Sequence, residues 1–210
     1  MCPTAFRRCR LLPVLLALLL VACGDGTPAL QPLAPDARVL AFGDSLTYGT
    51  GAGNGESYPR VLAGMLGREV INAGVPGEES SAGRDRLAQE LEAHRPALLI
   101  LCHGGNDILR NRDLERTREN LAAMVEMARD RDIEVVLVGV PARSLFSSSA
   151  GFYAEVAEEH GVPLEGEVVR SILEAGDLRS DPVHPNAAGY RVMAAAIHDV
   201  LAAAGAVPAQ

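Results

Sequence analysis

Short runs rich in Val, Leu and Ile recur along this chain, each followed by a stretch of helical period, and this alternation limits the possible folds more than any other feature. Residues 38–42, 69–72, 97–102, 134–140 and, more briefly, 162–164 have the length and composition of strands. Between them, residues 58–66, 82–94, 114–129 and 150–160 read as helices, and a last helix follows Asn186. Leu121, Met124, Val125 and Ala128 share one face of their helix, and Tyr190, Met193, Ile197 and Leu201 share one face of the last, so these are core stripes rather than cofactor contacts. Apolar strands spaced by amphipathic helices make a parallel sheet covered on both faces, an α/β fold. A chain of 210 residues, 48% hydrophobic, is long enough for one domain with a buried core and too short for two comfortable ones.

In such a sheet the carboxyl ends of the strands share one edge, so residues far apart in sequence reach one crevice. Gly43-Asp44-Ser45-Leu46 follows the first strand, Gly104-Gly105-Asn106-Asp107 follows the third, and Asp181-Pro182-Val183-His184-Pro185-Asn186 opens the last helix. Ser45 can turn its hydroxyl into the crevice beside free helix-start amides. Asp181 and His184, three residues apart between prolines, can pair a carboxylate with one imidazole nitrogen while the other points outward as a base. Every one of the 19 basic residues is arginine, which rules out a Ser-Lys dyad, a Schiff base and a Walker-type phosphate loop. His94, His160 and His198 fall on helices as solvated or partly packed side chains. His103 borders the Gly104-Gly105-Asn106 block, and nothing in the sequence pairs it with a nearby carboxylate.

These blocks, together with Asn72-Ala73-Gly74-Val75-Pro76-Gly77, stand in order from Arg38 to Leu201 and resemble those of the SGNH hydrolases, the GDSL esterase and lipase family. The resemblance implies a three-layer αβα sandwich around a parallel, flavodoxin-like sheet. It also implies a catalytic set of Ser45, Asp181 and His184, with an oxyanion hole made by the backbone N–H groups of Ser45 and Gly74 and the side-chain amide of Asn106. No metal or other cofactor is expected. Asp44 and Asp107 read as structural acceptors of backbone hydrogen bonds. An α/β-hydrolase elbow is disfavoured because Thr47 stands where the second glycine of Gly-x-Ser-x-Gly would be. A metal site built from Asp44, Asn106, Asp107 and His184 is a rival, weakened by having a single well-placed histidine. Within the family, the sequence looks most like the thioesterase I, lysophospholipase and arylesterase branch, which cleaves acyl esters and thioesters. A carbohydrate acetyl esterase is the alternative, and a ligand-binding surface lipoprotein without turnover is a third reading. Leu109, Leu145 and Phe146 are candidates for an apolar acyl wall, and the Ser-rich stretch Ser144–Gly151 for a movable side of the site.

The amino terminus carries a different message. Arg7, Arg8 and Arg10 precede an apolar run from Leu11 to Leu20, and Leu20-Val21-Ala22-Cys23 resembles a bacterial lipobox. Residues 1–22 are expected to be a signal peptide, with Cys23 lipidated and residues 23–36, rich in Pro and Gly, forming an extended tether. The hydrolase domain is expected over 37–205, as a monomer held on a membrane of the bacterial envelope and facing the periplasm or exterior. Cys2 and Cys9 would leave with the signal, so Cys102 alone would remain as a free thiol, placed in an apolar run as a core residue. The formal net charge of −8, more negative once the three signal arginines are gone, makes nucleic acid an unsuitable partner.

Overall fold

The computed structural model describes residues 27–142 and 150–208. Strands β1 (Val39–Gly43), β2 (Val70–Gly74), β3 (Leu98–Cys102), β4 (Glu134–Val138) and β5 (Leu164–Glu165) form one all-parallel sheet in the order β2-β1-β3-β4-β5. This is the flavodoxin-like order, with its switch point between β1 and β3. Every residue of β1 and β3 is buried, as central strands covered on both faces require, whereas the edge strand β2 is only partly so. Gly43 pairs in register with both Gly74 and Cys102, so three strands end level and their loops leave from one edge.

Helices α3 (Ser80–His94), α5 (Leu114–Arg129) and α6 (Phe152–His160) pack side by side in one layer, and α2 (Tyr58–Leu66), α7 (Val168–Glu174) and α8 (Ala187–Ala203) in the other. The apolar stripes of α5 and α8 read from the sequence are fully buried. All expected strands and helices are present, with ends that move by no more than two residues. Two short helices, α1 (Ser45–Tyr48) and α4 (Gly105–Leu109), were not anticipated because one turn carries no period, and α7 was missed directly after the two-residue β5.

One expectation needs correction. Residues 23–36 read as a tether, yet the described part, from residue 27 onward, belongs to the folded unit. Leu30 and Leu33 are buried in the core, and their N–H groups donate to the Ala204 and Ala206 carbonyls at 2.8 and 2.9 Å. Arg68 donates to the carbonyls of Leu33 and Ala34, and the Gln31 N–H donates to Glu134 Oε1. Two leucines flanking Gln31-Pro32 are too few to register as a period, so composition alone favoured a linker. The partners stand after α8 and at the amino ends of β2 and β4, so the segment seals the edge of the sheet opposite the level strand ends. Ala206 and Val207 are buried as well, and the domain runs beyond the expected limits of 37 and 205.

Truncating Leu30 tests this seal. Leu30→Ala should lower the unfolding free energy by about 2 kcal/mol or more in urea denaturation. A loss below about 0.5 kcal/mol, the range of ordinary surface changes, would mean that the segment is merely laid on the surface.

Candidate active site

Ser45 is the first residue of α1, and the residue before it explains its position. Asp44 caps that helix by accepting the Leu46 N–H on Oδ1 at 3.1 Å, and its other oxygen accepts the Asn106 side-chain amide at 3.2 Å. Burial pushes the Asp44 carboxyl above its ordinary range, an effect that nearby His103 and His184 and the two amide donors oppose. A buried acid held this way is structural, as expected, and it fixes the turn from which Ser45 projects.

The loop before α8 carries Asp181 and His184. Asp181 Oδ1 accepts the backbone N–H groups of Val183 and His184 at 2.8 and 2.9 Å, wrapping the segment around its carboxylate as an Asx turn does. Asp181 Oδ2 lies 2.8 Å from His184 Nδ1, and His184 Nε2 lies 3.0 Å from Ser45 Oγ. With Nδ1 donating to the carboxylate, Nε2 is free to accept the serine proton, which is the tautomer a general base needs. Desolvation works against the Asp181 charge, but the Val183 and His184 hydrogen bonds outweigh it and hold the carboxyl below its ordinary range. The loop is pinned at both ends: Arg179 bridges Pro185, the Ser180 N–H donates to the His184 carbonyl, and Asn186 caps α8 through Ala188 and Gly189.

Asn106, on α4, reaches the same cleft as Ser45 and His184. Its Nδ2 donates to Asp44 Oδ2 and, at 3.0 Å, to the carbonyl of Glu78. Gly74 departs from expectation. β2 runs two residues further than its apolar pattern suggested, so Gly74 is still inside the strand, and its N–H donates to Asn72 Oδ1 at 3.0 Å. Its lack of a side chain serves packing, since a Cβ there would fall 2.1 Å from the Tyr48 nitrogen. Gly74 does not line the cleft. Gly77 does, in the left-handed region at φ +78°, with no acceptor for its N–H among the described residues. The Pro76-Gly77 pair, a turn signal just past the strand, was the available clue to it.

The cleft encloses about 470 Å³, and Leu46, Ile108, Leu109, Val140, Leu173 and Val183 make it largely apolar. Leu109 stands in the wall as expected, half exposed at the rim. Leu145 and Phe146 lie outside the described residues, as does most of the Ser144–Gly151 stretch. Val140, Leu173 and Val183 were not singled out, because nothing local in their sequence distinguishes a cleft wall from core. Asp107, weighed as a metal ligand, is occupied elsewhere: its carboxylate accepts the Ser80 N–H and hydroxyl at 2.8 and 2.7 Å. Cys102 is fully buried, with its thiol pushed up by that burial, and it packs as expected. His94, His160 and His198 do not line the cleft. Nor does His103, which is fully buried and meets a carboxylate the sequence did not suggest, that of Glu78 at 3.1 Å.

Residues 41–192 match the GDSL-like lipase/acylhydrolase family. Esterase TesA of Pseudomonas aeruginosa is 30% identical over 160 residues, which cover 70% of this chain and 79% of that protein. Thioesterase 1/protease 1/lysophospholipase L1 of Escherichia coli strain K12 is 28% identical over 156 residues, 70% of this chain and 75% of that one. Among solved structures, AlinE4, an SGNH-hydrolase family esterase, is 32% identical with a TM-score of 0.65, covering 81% of this chain and 97% of the other. The match spans the serine, asparagine and histidine loops together with the sheet that carries them, and the chain belongs to the GDSL-like lipase/acylhydrolase family.

Proposed function

We propose that the protein is a serine esterase that cleaves acyl esters or thioesters through an acyl-enzyme on Ser45. The carrying observation is the unbroken line of hydrogen bonds from Asp181 Oδ2 to His184 and from His184 Nε2 to Ser45 Oγ. His184 takes the serine proton as Oγ attacks the ester carbonyl. It then gives that proton to the leaving alcohol or thiol as the carbonyl reforms. Water repeats the sequence in reverse and frees the acid. Asp181 holds the ring and stabilises the imidazolium without taking a proton itself.

The tetrahedral intermediate needs donors already in place, and removing one from such a hole costs on the order of 10²–10³ in kcat. Asn106 Nδ2, the Ser45 N–H and the Gly77 N–H are the donors that border the cleft, with Gly77 taking the part first expected of Gly74. Of the two bonds made by Asn106, the one to the neutral Glu78 carbonyl gives way more readily to a charged oxyanion than the one to Asp44.

The apolar lining suits an acyl chain better than a sugar ring, which favours acyl ester or thioester substrates over carbohydrate acetates. The Pseudomonas relative is named an esterase and the Escherichia coli relative a thioesterase and lysophospholipase, in keeping with this choice. The lipobox-like sequence supports a lipid-anchored protein of the bacterial envelope. The seven-residue step from Cys23 to Leu30 spans at most about 25 Å. A domain of this size is roughly 40 Å across, and its cleft lies at the edge opposite Leu30. An anchored molecule therefore turns its cleft away from its own membrane, toward substrates in the periplasm or exterior.

Ser45→Ala and His184→Ala should each lower kcat by roughly 10⁴-fold or more on a chromogenic ester, and the double variant should lose little beyond either one. A folded Ser45→Ala protein with undiminished turnover would refute the mechanism. For the anchor, Cys23→Ser should abolish palmitate incorporation and move the protein to the soluble fraction. Unaltered processing and membrane partition in that variant would contradict it.

A further inference from the structure

Two loops carry the outer oxyanion donors: Gly77 follows β2, and Asn106 follows β3. No backbone hydrogen bond joins these loops among the described residues. Between them lies a buried pair of titratable side chains to which the mechanism gives no role. His103 Nδ1 accepts the Gly104 N–H at 3.0 Å, which leaves the ring proton on Nε2, donated to Glu78 Oε2 at 3.1 Å. The ring is sealed by α3, where a Cβ on Gly83 would fall 2.4 Å from Nε2, and the His103 carbonyl accepts the Tyr153 hydroxyl at 2.7 Å. Glu78 in turn receives Arg86 on both oxygens, at 2.9 and 2.7 Å. Arg86 is itself fixed by the Ala73 carbonyl and lies 4.1 Å over the Phe42 ring. Burial pushes the Glu78 carboxyl up, but His103 and Arg86 outweigh it and hold it down at about 2.

The main chain of Glu78 is where this network meets the site. Its carbonyl accepts Asn106 Nδ2, its N–H donates to the Val75 carbonyl at 3.2 Å, and Gly77 is its immediate neighbour. We propose that Glu78 and His103 are positioning residues: their bond clamps the two loops together so that the Gly77 and Asn106 donors keep one separation during turnover. This rests on the reading of Gly77 and Asn106 as oxyanion donors. Other contacts already hold the loops together further out, through Ser80 to Asp107 and Arg110 to both Glu79 and the Gly77 carbonyl. A buried ionic cluster adds little net stability over apolar packing, and the quantity left for this one to govern is donor geometry. Donors fixed in advance act on the transition state, so loosening them lowers kcat and leaves KM nearly unchanged.

A double-mutant cycle on the full chain tests the clamp, with folding of each variant checked by thermal melting. Glu78→Ala should lower kcat about tenfold with KM within about twofold, and Glu78→Gln, which keeps an oxygen for His103 Nε2–H, should recover most of that loss. In an Asn106→Ala background, either Glu78 change should cost less than about twofold more, because the donor it positions is gone. Should Glu78→Ala not fold, the same cycle built on His103→Phe with Asn106→Ala, which keeps a ring of similar size but removes the Nε2–H donor to Glu78, decides by the same criterion. Equal losses in both backgrounds, or undiminished kcat in a folded Glu78→Ala protein, would overturn the clamp alone. Undiminished kcat in Asn106→Ala by itself would overturn the oxyanion-hole reading and the clamp with it.

Discussion

Three parallel strands that end level with one another impose most of the architecture around the site. Gly43 lies opposite Gly74 on one side and Cys102 on the other, so the chain leaves β1, β2 and β3 at one height. The packing there is tight enough that a Cβ on Gly43 would fall 2.0 Å from the Cys102 carbonyl oxygen. From this edge the loops have little choice of direction. Asp44 and Ser45 turn into α1, Pro76 and Gly77 pass over the cleft, and Gly105 and Asn106 start α4 beside them. A one-residue slip in either of these two pairings would send every side chain of the slipped strand to the opposite face of the sheet.

Buried carboxylates then tie these short loops to the layers below. Asp44 joins α1 to Asn106, Asp107 joins α4 to Ser80 at the start of α3 and, more loosely, to Thr117 of α5, and Glu78 joins the β2 loop to His103 and Arg86. Each has its oxygens occupied, as buried acids must, and removing one partner from such a set costs more than the pair contributes while intact. The carboxylate paired with His184 differs in kind. Asp181 is nearly half exposed, and its orientation comes from its own loop, through the backbone N–H groups of Val183 and His184.

What the sequence disclosed follows the range over which each feature is encoded. Asp181 and His184 were legible because their geometry is written within a few residues flanked by prolines, and Ser45 because it stands directly after a buried strand. The core stripes of α5 and α8 were legible from period alone. Gly74 was mistaken for a cleft residue because its role depended on where β2 ends, and strand ends are set by pairing with β1 rather than by local composition. The bond between Glu78 and His103 spans 25 positions, and nothing near either residue announces the other. Leu30 and Leu33 were hidden for the opposite reason: their surroundings have the composition of a linker, while their burial depends on the far end of α8.

The account stands on Ser45 as the atom that becomes acylated, and covalent trapping tests this most directly. After reaction with an aryl organophosphonate ester, peptide mass spectrometry should find one equivalent of adduct, on Ser45, with matching loss of esterase turnover. The His184→Ala protein should label far more slowly, since its serine keeps its proton. An adduct on any other residue, or full turnover by enzyme already labelled at Ser45, would contradict the account.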